Sequence, residues 1–405
     1  MDGAAPYLPE EVIANILKRL PMKSIIRFQC VCKYWRDLIK TPSFIQDHFR
    51  HSSLQNPSLF IGQSNGDDPF RLYLLNCKMQ LREFDKAPFV GPLVGVCLVG
   101  SCNGLLCLAD YNIRPPAPLL WNPATRETRQ IPITFNDSRI CWEFGFGFSP
   151  IINDYKIVRI SLNPCVCDVE VYSLSKGSWR NIPFDDLKDI CINNHGVNVN
   201  GVLFWDGIEL YEGVMDDDTD DTDVDTIVIV SFDIASEVFT AKLSPTSRCK
   251  LAVNDDKLAI ISPNWITDSP DSSIYFGELE EVIGLSEDIW SSRDYILSYA
   301  FNLHELYVGS VWRNQIVCID FGMHRSDKLR MENAEHLYLI HLTTNERKML
   351  TLPTLKSGHD VSDFKFMERP VTIANFQIAR PGFGFSVFNY VGSLMPIDNI
   401  QIEEP

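Results

Sequence analysis

Apolar side chains change their spacing near Pro57 of this 405-residue chain. From Leu8 to Ile39 they recur at steps of three and four, the spacing of an amphipathic helix. Pro9 stands where a helix can begin without losing a hydrogen bond, and Glu10 and Glu11 follow in the first turn, where carboxylates complement the positive helix end. Val12, Ile13, Ile16, Leu17 and Leu20 then form the apolar stripe, and Lys18 and Arg19 precede the stop at Pro21. Shorter helices fit Ser24 to Phe28 and Lys33 to Ile39. Three short helices in about 35 residues cannot bury a sizeable core alone, so the pattern predicts surplus apolar surface that needs a partner.

Beyond Pro57 the runs become short or alternating and are bounded by Asn, Asp, Gly and Pro, which predicts an all-β region. A polar turn followed by an apolar strand starts at Asn103, Asn153, Asn200, Asp255 and Asn314, with intervals of 50, 47, 55 and 59 residues. Asn and Asp at hairpin tips supply the positive backbone angles such turns require. A second element, a strand ending in a polar residue, a turn and another strand, recurs at Asn122, Ser173, Asp233 and His341, offset by 51, 60 and 108 residues. Both elements share one period. That period predicts four-stranded blades, six or seven over roughly 350 residues, with a pair of stacked β-sandwiches as the alternative.

The length allows a small N-terminal unit and a large second part. No run of about 18 apolar residues and no signal-peptide core is present, so the reading is an intracellular protein, cytoplasmic or nuclear, without a membrane span. The twelve cysteines lie mostly inside apolar runs without any Cys-x-x-Cys pair, and read as buried thiols of a reducing compartment. Their spacing gives no zinc site, and no metal or cofactor is expected. The net charge of −17 is uneven: residues 1–50 hold eight Lys/Arg against five Asp/Glu. The first segment therefore suits an acidic partner, while the acidic remainder argues against nucleic acid.

Among candidate sites, the run 216–225 holds seven carboxylates, with Asp216, Asp217, Asp218, Asp220 and Asp221 at its dense end. It falls inside one repeat and reads either as a solvated inserted loop or as a contact for a basic protein. It lacks the Gly and terminal Glu of a calcium-binding EF-hand loop. Gly145-Phe-Gly-Phe-Ser and Gly382-Phe-Gly-Phe-Ser are identical and suit tightly packed inner strands. The histidines stand apart in sequence, His195 among them, with no Gly-x-Ser-x-Gly turn or His-Glu-x-x-His pair, so hydrolytic chemistry has no footing. Trp142, Trp265, Trp290 and Trp312 lie near polar residues. Of these, Trp265 and Trp312 are candidates for a target-binding rim, with blade packing as the competing role.

The N-terminal pattern of Leu8, Pro9, Glu10, Glu11, Ile16, Leu17, Leu20, Pro21, Phe28, Cys30, Val31, Cys32 and Trp35 closely resembles the F-box. The likeness places this domain at about residues 1–50. It implies docking on the small Skp adaptor through Leu8, Pro9, Ile16, Leu17, Leu20, Pro21, Phe28, Val31, Cys32 and Trp35, and through that adaptor association with cullin and RING subunits. Gly100-Ser-Cys-Asn-Gly-Leu-Leu-Cys-Leu, Trp121-Asn-Pro-Ala-Thr-Arg, Gly145-Phe-Gly-Phe-Ser-Pro and Val171-Tyr-Ser-Leu-Ser-Lys-Gly-Ser-Trp-Arg resemble the F-box-associated domain of plant F-box proteins, including the kelch-like group. This likeness is good as far as Gly207 and weaker afterwards. The two resemblances together imply a three-helix F-box followed by a propeller-like domain over about residues 55–400. They imply a non-enzymatic subunit that brings a protein target to a ubiquitin ligase. A propeller-based binding protein or lectin working outside a ligase is the alternative, because fold does not settle function.

Overall fold

The computed structural model describes residues 8–65, 70–84, 95–113, 115–133, 141–210, 226–246, 250–264, 272–281, 289–297, 306–320, 336–352, 372–373, 376–377 and 383–397. Its first part is helical: α1 (Glu10–Leu17), α2 (Met22–Phe28), α3 (Lys33–Ile39) and α4 (Pro42–Gln55). The first three helices match the apolar spacing. The fourth was not anticipated, although its start signals stand in the sequence. Thr41 caps it by accepting from the Phe44 amide at 3.3 Å, and Pro42 occupies its first turn. Leu17, Ile25, Ile39, Phe44 and Ile45 form the core of this unit.

The remainder is a six-bladed β-propeller of antiparallel four-stranded sheets. From the axis outward, blade 2 is Val96–Cys102, Leu105–Asp110, Ala117–Trp121 and Thr128–Gln130; blade 3 is Cys141–Ser149, Asp154–Leu162, Val166–Ser173 and Ser178–Asn181. In blade 4 two short segments, Ile190–Ile192 and Val197–Val199, share the inner position beside Val202–Glu209, Thr226–Asp233 and Val238–Leu243. Blade 5 is Lys250–Asn254, Lys257–Asn264, Ser272–Glu281 and Ile289–Leu297; blade 6 is Leu306–Trp312, Gln315–Asp320, His336–His341 and Arg347–Thr351. Blade 1 closes the ring with strands from both ends of the chain: Phe383–Tyr390 lies inside, pairing with Ser58–Asn65, followed by Arg71–Leu75 and Leu81–Glu83. The stacked-sandwich alternative is excluded by this ring, in which each blade's inner strand touches the next.

Alternation along the strands fills the six gaps between blades. Leu59 and Ile61 pack toward blade 6, while Phe60, one residue out of phase, packs toward blade 2. Each gap holds its own buried apolar cluster. The Gly145 segment lies on the inner strand of blade 3, and Phe383 to Ser386 of its second copy lie on that of blade 1. At Gly145 the reason is contact: a Cβ would come within 2.5 Å of the Trp205 ring.

The two recurring turns fall on one face of the ring. Asn103, Asn153, Asn200, Asp255 and Asn314, each with positive φ, join the first and second strands of blades 2 to 6. Asn122, Ser173, Asp233 and His341 begin the outer hairpins, and in each the carbonyl accepts from the amide four residues on, at 2.8 to 3.0 Å. The helical unit attaches on this face. Its last turn meets blade 1 where Cys77 Sγ approaches Asn56 Oδ1 at 3.8 Å.

Candidate docking surfaces

Helix α1 carries apolar residues on two sides. Leu17 faces inward, and Leu8, Val12 and Ile16, spaced four apart, face outward with 50%, 40% and 48% of their surface exposed. Val31, in the turn before α3, is 59% exposed. Pro9, Pro21 and Cys32 are also exposed, and Leu20, Phe28 and Trp35 are half-buried. The Phe28 and Trp35 rings meet at 5.4 Å, and the Cys32 sulfur caps α3 by accepting from the Trp35 amide at 3.4 Å. Cys32 thus holds Trp35 in place from a surface position. Leu17 departs from the predicted docking set. It is 1% exposed, enclosed by Ile25, Ile39, Phe44 and Ile45, and cannot touch a partner without unfolding the unit. Val12, absent from the predicted set, faces outward with Leu8 and Ile16; its four-residue spacing from both carried that information.

Trp312 is likewise removed from the candidate target rim, because it is 2% exposed in the gap between blades 6 and 1 with Leu59, Tyr73 and Leu339. Trp142 is buried between blades 2 and 3. Burial of the ring between blades, where large flat side chains fill space, outweighed the polar neighbours that suggested exposure. Trp265 and the acidic run with Asp216, Asp217, Asp218, Asp220 and Asp221 lie outside the described residues. The strands flanking that run, Val202–Glu209 and Thr226–Asp233, begin and end on the face that carries the helical unit. Their other ends, Glu209 and Thr226, therefore lie on the opposite face.

A polar cluster absent from the sequence reading gathers at the mouth of the central channel on that opposite face. His195, separate from other histidines in sequence, sits where the inner strand of blade 4 is interrupted. Its Nδ1 lies 2.7 Å from Glu143 of blade 3, and its Nε2 lies 3.7 Å from Cys97 Sγ of blade 2. Nearby, Asn194 donates to the Asp206 carboxylate at 2.9 Å and accepts from Lys250 of blade 5 at 3.0 Å, and the Lys250 ammonium lies 5.6 Å from the Tyr307 ring of blade 6. Burial opposes the Lys250 charge, but Tyr307 and Asp206 hold its pKa above the ordinary value; burial raises that of Asp206. The Cys97–His195–Glu143 arrangement has the order of a thiol triad but not its electrostatics. Burial first, and then the Glu143 charge, push the Cys97 thiol up, so it stays protonated and weakly nucleophilic. The cluster braces five blades across the channel. Among the described residues no group of three or more His, Cys, Asp or Glu could hold a metal ion.

Comparison with known proteins follows these two parts. The profile of the F-box domain matches residues 6–47, and that of the F-box associated beta propeller domain matches residues 74–275. An F-box protein of Arabidopsis thaliana is 31% identical over 180 residues, 43% of this chain and 46% of that protein. An F-box/kelch-repeat protein of the same plant is 29% identical over 49% of this chain and 58% of the relative, and a further F-box protein is 26% identical over 71% and 64%. The chain thus spans about half the length of the curated relatives it matches. Among solved structures it is similar to TolB from Acinetobacter baumannii at 10% identity and a TM-score of 0.43, over 78% of this chain and 71% of that one, too distant for anything about function to carry across. With both profiles matched in the order in which the helices and blades occur, the chain belongs to the F-box proteins that carry an F-box-associated β-propeller.

Proposed function

We propose that this protein is the target-recognition subunit of a Skp–cullin–F-box ubiquitin ligase. The observation that carries the reading is the outward stripe of Leu8, Val12, Ile16 and Val31, which stands apart from the core formed by Leu17, Ile25 and Ile39. Covering a half-exposed aliphatic side chain gains on the order of 1 kcal/mol, so four of them supply several kcal/mol to a partner. The positive balance of residues 1–50 favours an acidic one. In this reading the propeller face opposite the F-box, where Glu209 and Thr226 lie, receives a protein target, and the seven carboxylates that the sequence carries between them, in 216–225, favour a basic one. Catalysis is proximity: the target's effective concentration rises beside a ubiquitin-charged enzyme bound to the cullin and RING subunits, and no residue of this chain reacts.

The test separates surface from core. Ile16→Asp in the full chain is expected to weaken capture of a purified Skp adaptor by about a hundredfold or more, the scale of an interface hot spot, with the circular dichroism melt unchanged. Leu17→Ala should instead lower the stability of the helical unit, by about 2–5 kcal/mol. Undiminished adaptor capture by Ile16→Asp would remove the proposal.

A further inference from the structure

The chain continues past the closing strand of blade 1. Residues 391–397 cross the turn-bearing face as a strap between blade 2 and the F-box helices. On the propeller side, the buried Asn122 donates from Nδ2 to the carbonyls of Ser393 (3.0 Å) and Met395 (2.8 Å). The Glu127 carboxylate accepts from the Ile397 amide at 3.3 Å, and Ile397 is fully buried in the cluster between blades 2 and 3. Gly104 lies so close that a Cβ there would stand 2.4 Å from Ser393 Cβ and 2.5 Å from the Val391 carbonyl. On the other side, Leu394 is 7% exposed and completes the F-box core beside Leu17, Ile25 and Phe44. Met395 touches both that core and the cluster between blades 2 and 3.

Asn122 performs two separable tasks. Its Oδ1 accepts from the amides of Ala124 and Thr125, shaping the outer hairpin as Asp233 Oδ1 does in blade 4 by accepting from the Ser236 amide. Its Nδ2 serves the strap alone. An aspartate would suffice for the hairpin, so the amide nitrogen answers to the strap.

We infer that residues 391–397 are a clamp that fixes the direction of the F-box on the propeller, with Asn122 as its positioning residue. The consequence for ubiquitin transfer rests on the ligase reading above: the span from adaptor to bound target is then set by this clamp and not by a flexible linker. The clamp itself stands independently of that reading. A rigid span keeps the target's effective concentration near the charged enzyme, whereas a loosened one spreads it over many orientations.

Asn122→Asp in the 405-residue chain keeps the Oδ1 acceptor of both hairpin bonds and the side-chain volume while turning a carboxylate toward two carbonyls. Amide hydrogen exchange across α1 to α4 is expected to quicken by about tenfold, as local opening becomes easier, with the strands of blades 3 to 6 unchanged. Small-angle scattering should show a larger radius of gyration. Gly104→Ala and Gly201→Ala form a second pair. Both glycines have positive φ, +77° and +85°, so both substitutions strain the backbone; only at Gly104 does the new Cβ strike the strap, the nearest atom at Gly201 being 3.4 Å away. Gly104→Ala should reproduce the exchange pattern of Asn122→Asp, and Gly201→Ala should not. F-box exchange unchanged in both Asn122→Asp and Gly104→Ala, or equal in Gly104→Ala and Gly201→Ala, would overturn the clamp. Adding purified Skp adaptor tells the two readings apart. Failure of the unaltered chain to bind it counts against the ligase reading alone, while the exchange data decide the clamp. If the chain does bind, Asn122→Asp should keep its adaptor affinity and slow ubiquitin transfer to target.

Discussion

His48 on α4 is 1% exposed, with Nε2 3.1 Å from the Leu20 carbonyl and Nδ1 without a partner among the described residues. The contact needs a proton on Nε2, so a second proton would place a charge inside the helical unit. Burial lowers the pKa from 6.5, the Leu20 hydrogen bond partly opposes this, and His51 adds to the lowering. The unfolded chain therefore binds the proton first as pH falls. The stabilisation is present above 6.5 and is lost progressively below it, toward the lowered pKa. The F-box melt should accordingly be flat above that pH and move to lower temperature beneath it. His48→Gln, whose amide can still donate to Leu20 without titrating, should flatten the dependence; a slope unaffected by it would place the titration elsewhere. At this scale the hairpin asparagines were legible in the sequence because positive φ selects so few residue types. Leu17 and Trp312 were not: an apolar stripe broad enough to cover two faces of α1 does not say which side meets a partner, and polar neighbours do not expose a ring that fills a gap between blades.

Elements were read well where a local rule acts and poorly where contact between elements decides. Alternation and turn residues marked the strands of blades 2 to 4, and Pro9 and Pro21 marked α1. The fourth helix was passed over despite Thr41 and Pro42, because its sparse apolar pattern is weaker than its start signals. The broken inner strand of blade 4 has no local signature at all; it is held by pairing with Val202–Glu209 and by Gly196, whose amide donates to the Phe144 carbonyl at 2.6 Å. Blade-to-blade packing yields a prediction at Gly145. Its missing side chain lets Trp205 lie against the neighbouring inner strand, where the Trp205 Nε1 donates to the Phe144 carbonyl at 3.1 Å. Gly145→Ala should push the indole back and destabilise the propeller by about 1–3 kcal/mol, the usual cost of overpacking. Denaturant unfolding followed by tryptophan fluorescence measures this; an unaltered midpoint would mean that the gap between blades 3 and 4 adjusts without cost.

The ring as a whole is closed by its last described strand, and this explains why the blade number could be narrowed only to six or seven from the repeat. Turn spacing counts repeats that are continuous in sequence, whereas blade 1 takes Phe383–Tyr390 from one end of the chain and three strands from the other. That split makes the C-terminal part a determinant of the entire propeller. Val387 and Tyr390 belong to the clusters on the two sides of blade 1, so losing their strand opens both gaps at once. Each large apolar side chain uncovered costs about 1.5–3 kcal/mol, against a typical domain stability of about 5–15 kcal/mol. Removal of residues 383–405 is therefore expected to abolish the cooperative thermal transition. Removal of 391–405 leaves the ring closed and should keep the propeller transition cooperative while the helical unit melts separately and earlier. Differential scanning calorimetry of the two truncated chains distinguishes these outcomes, and a cooperative propeller transition surviving the longer deletion would show that five blades and a three-stranded sheet suffice to hold the ring.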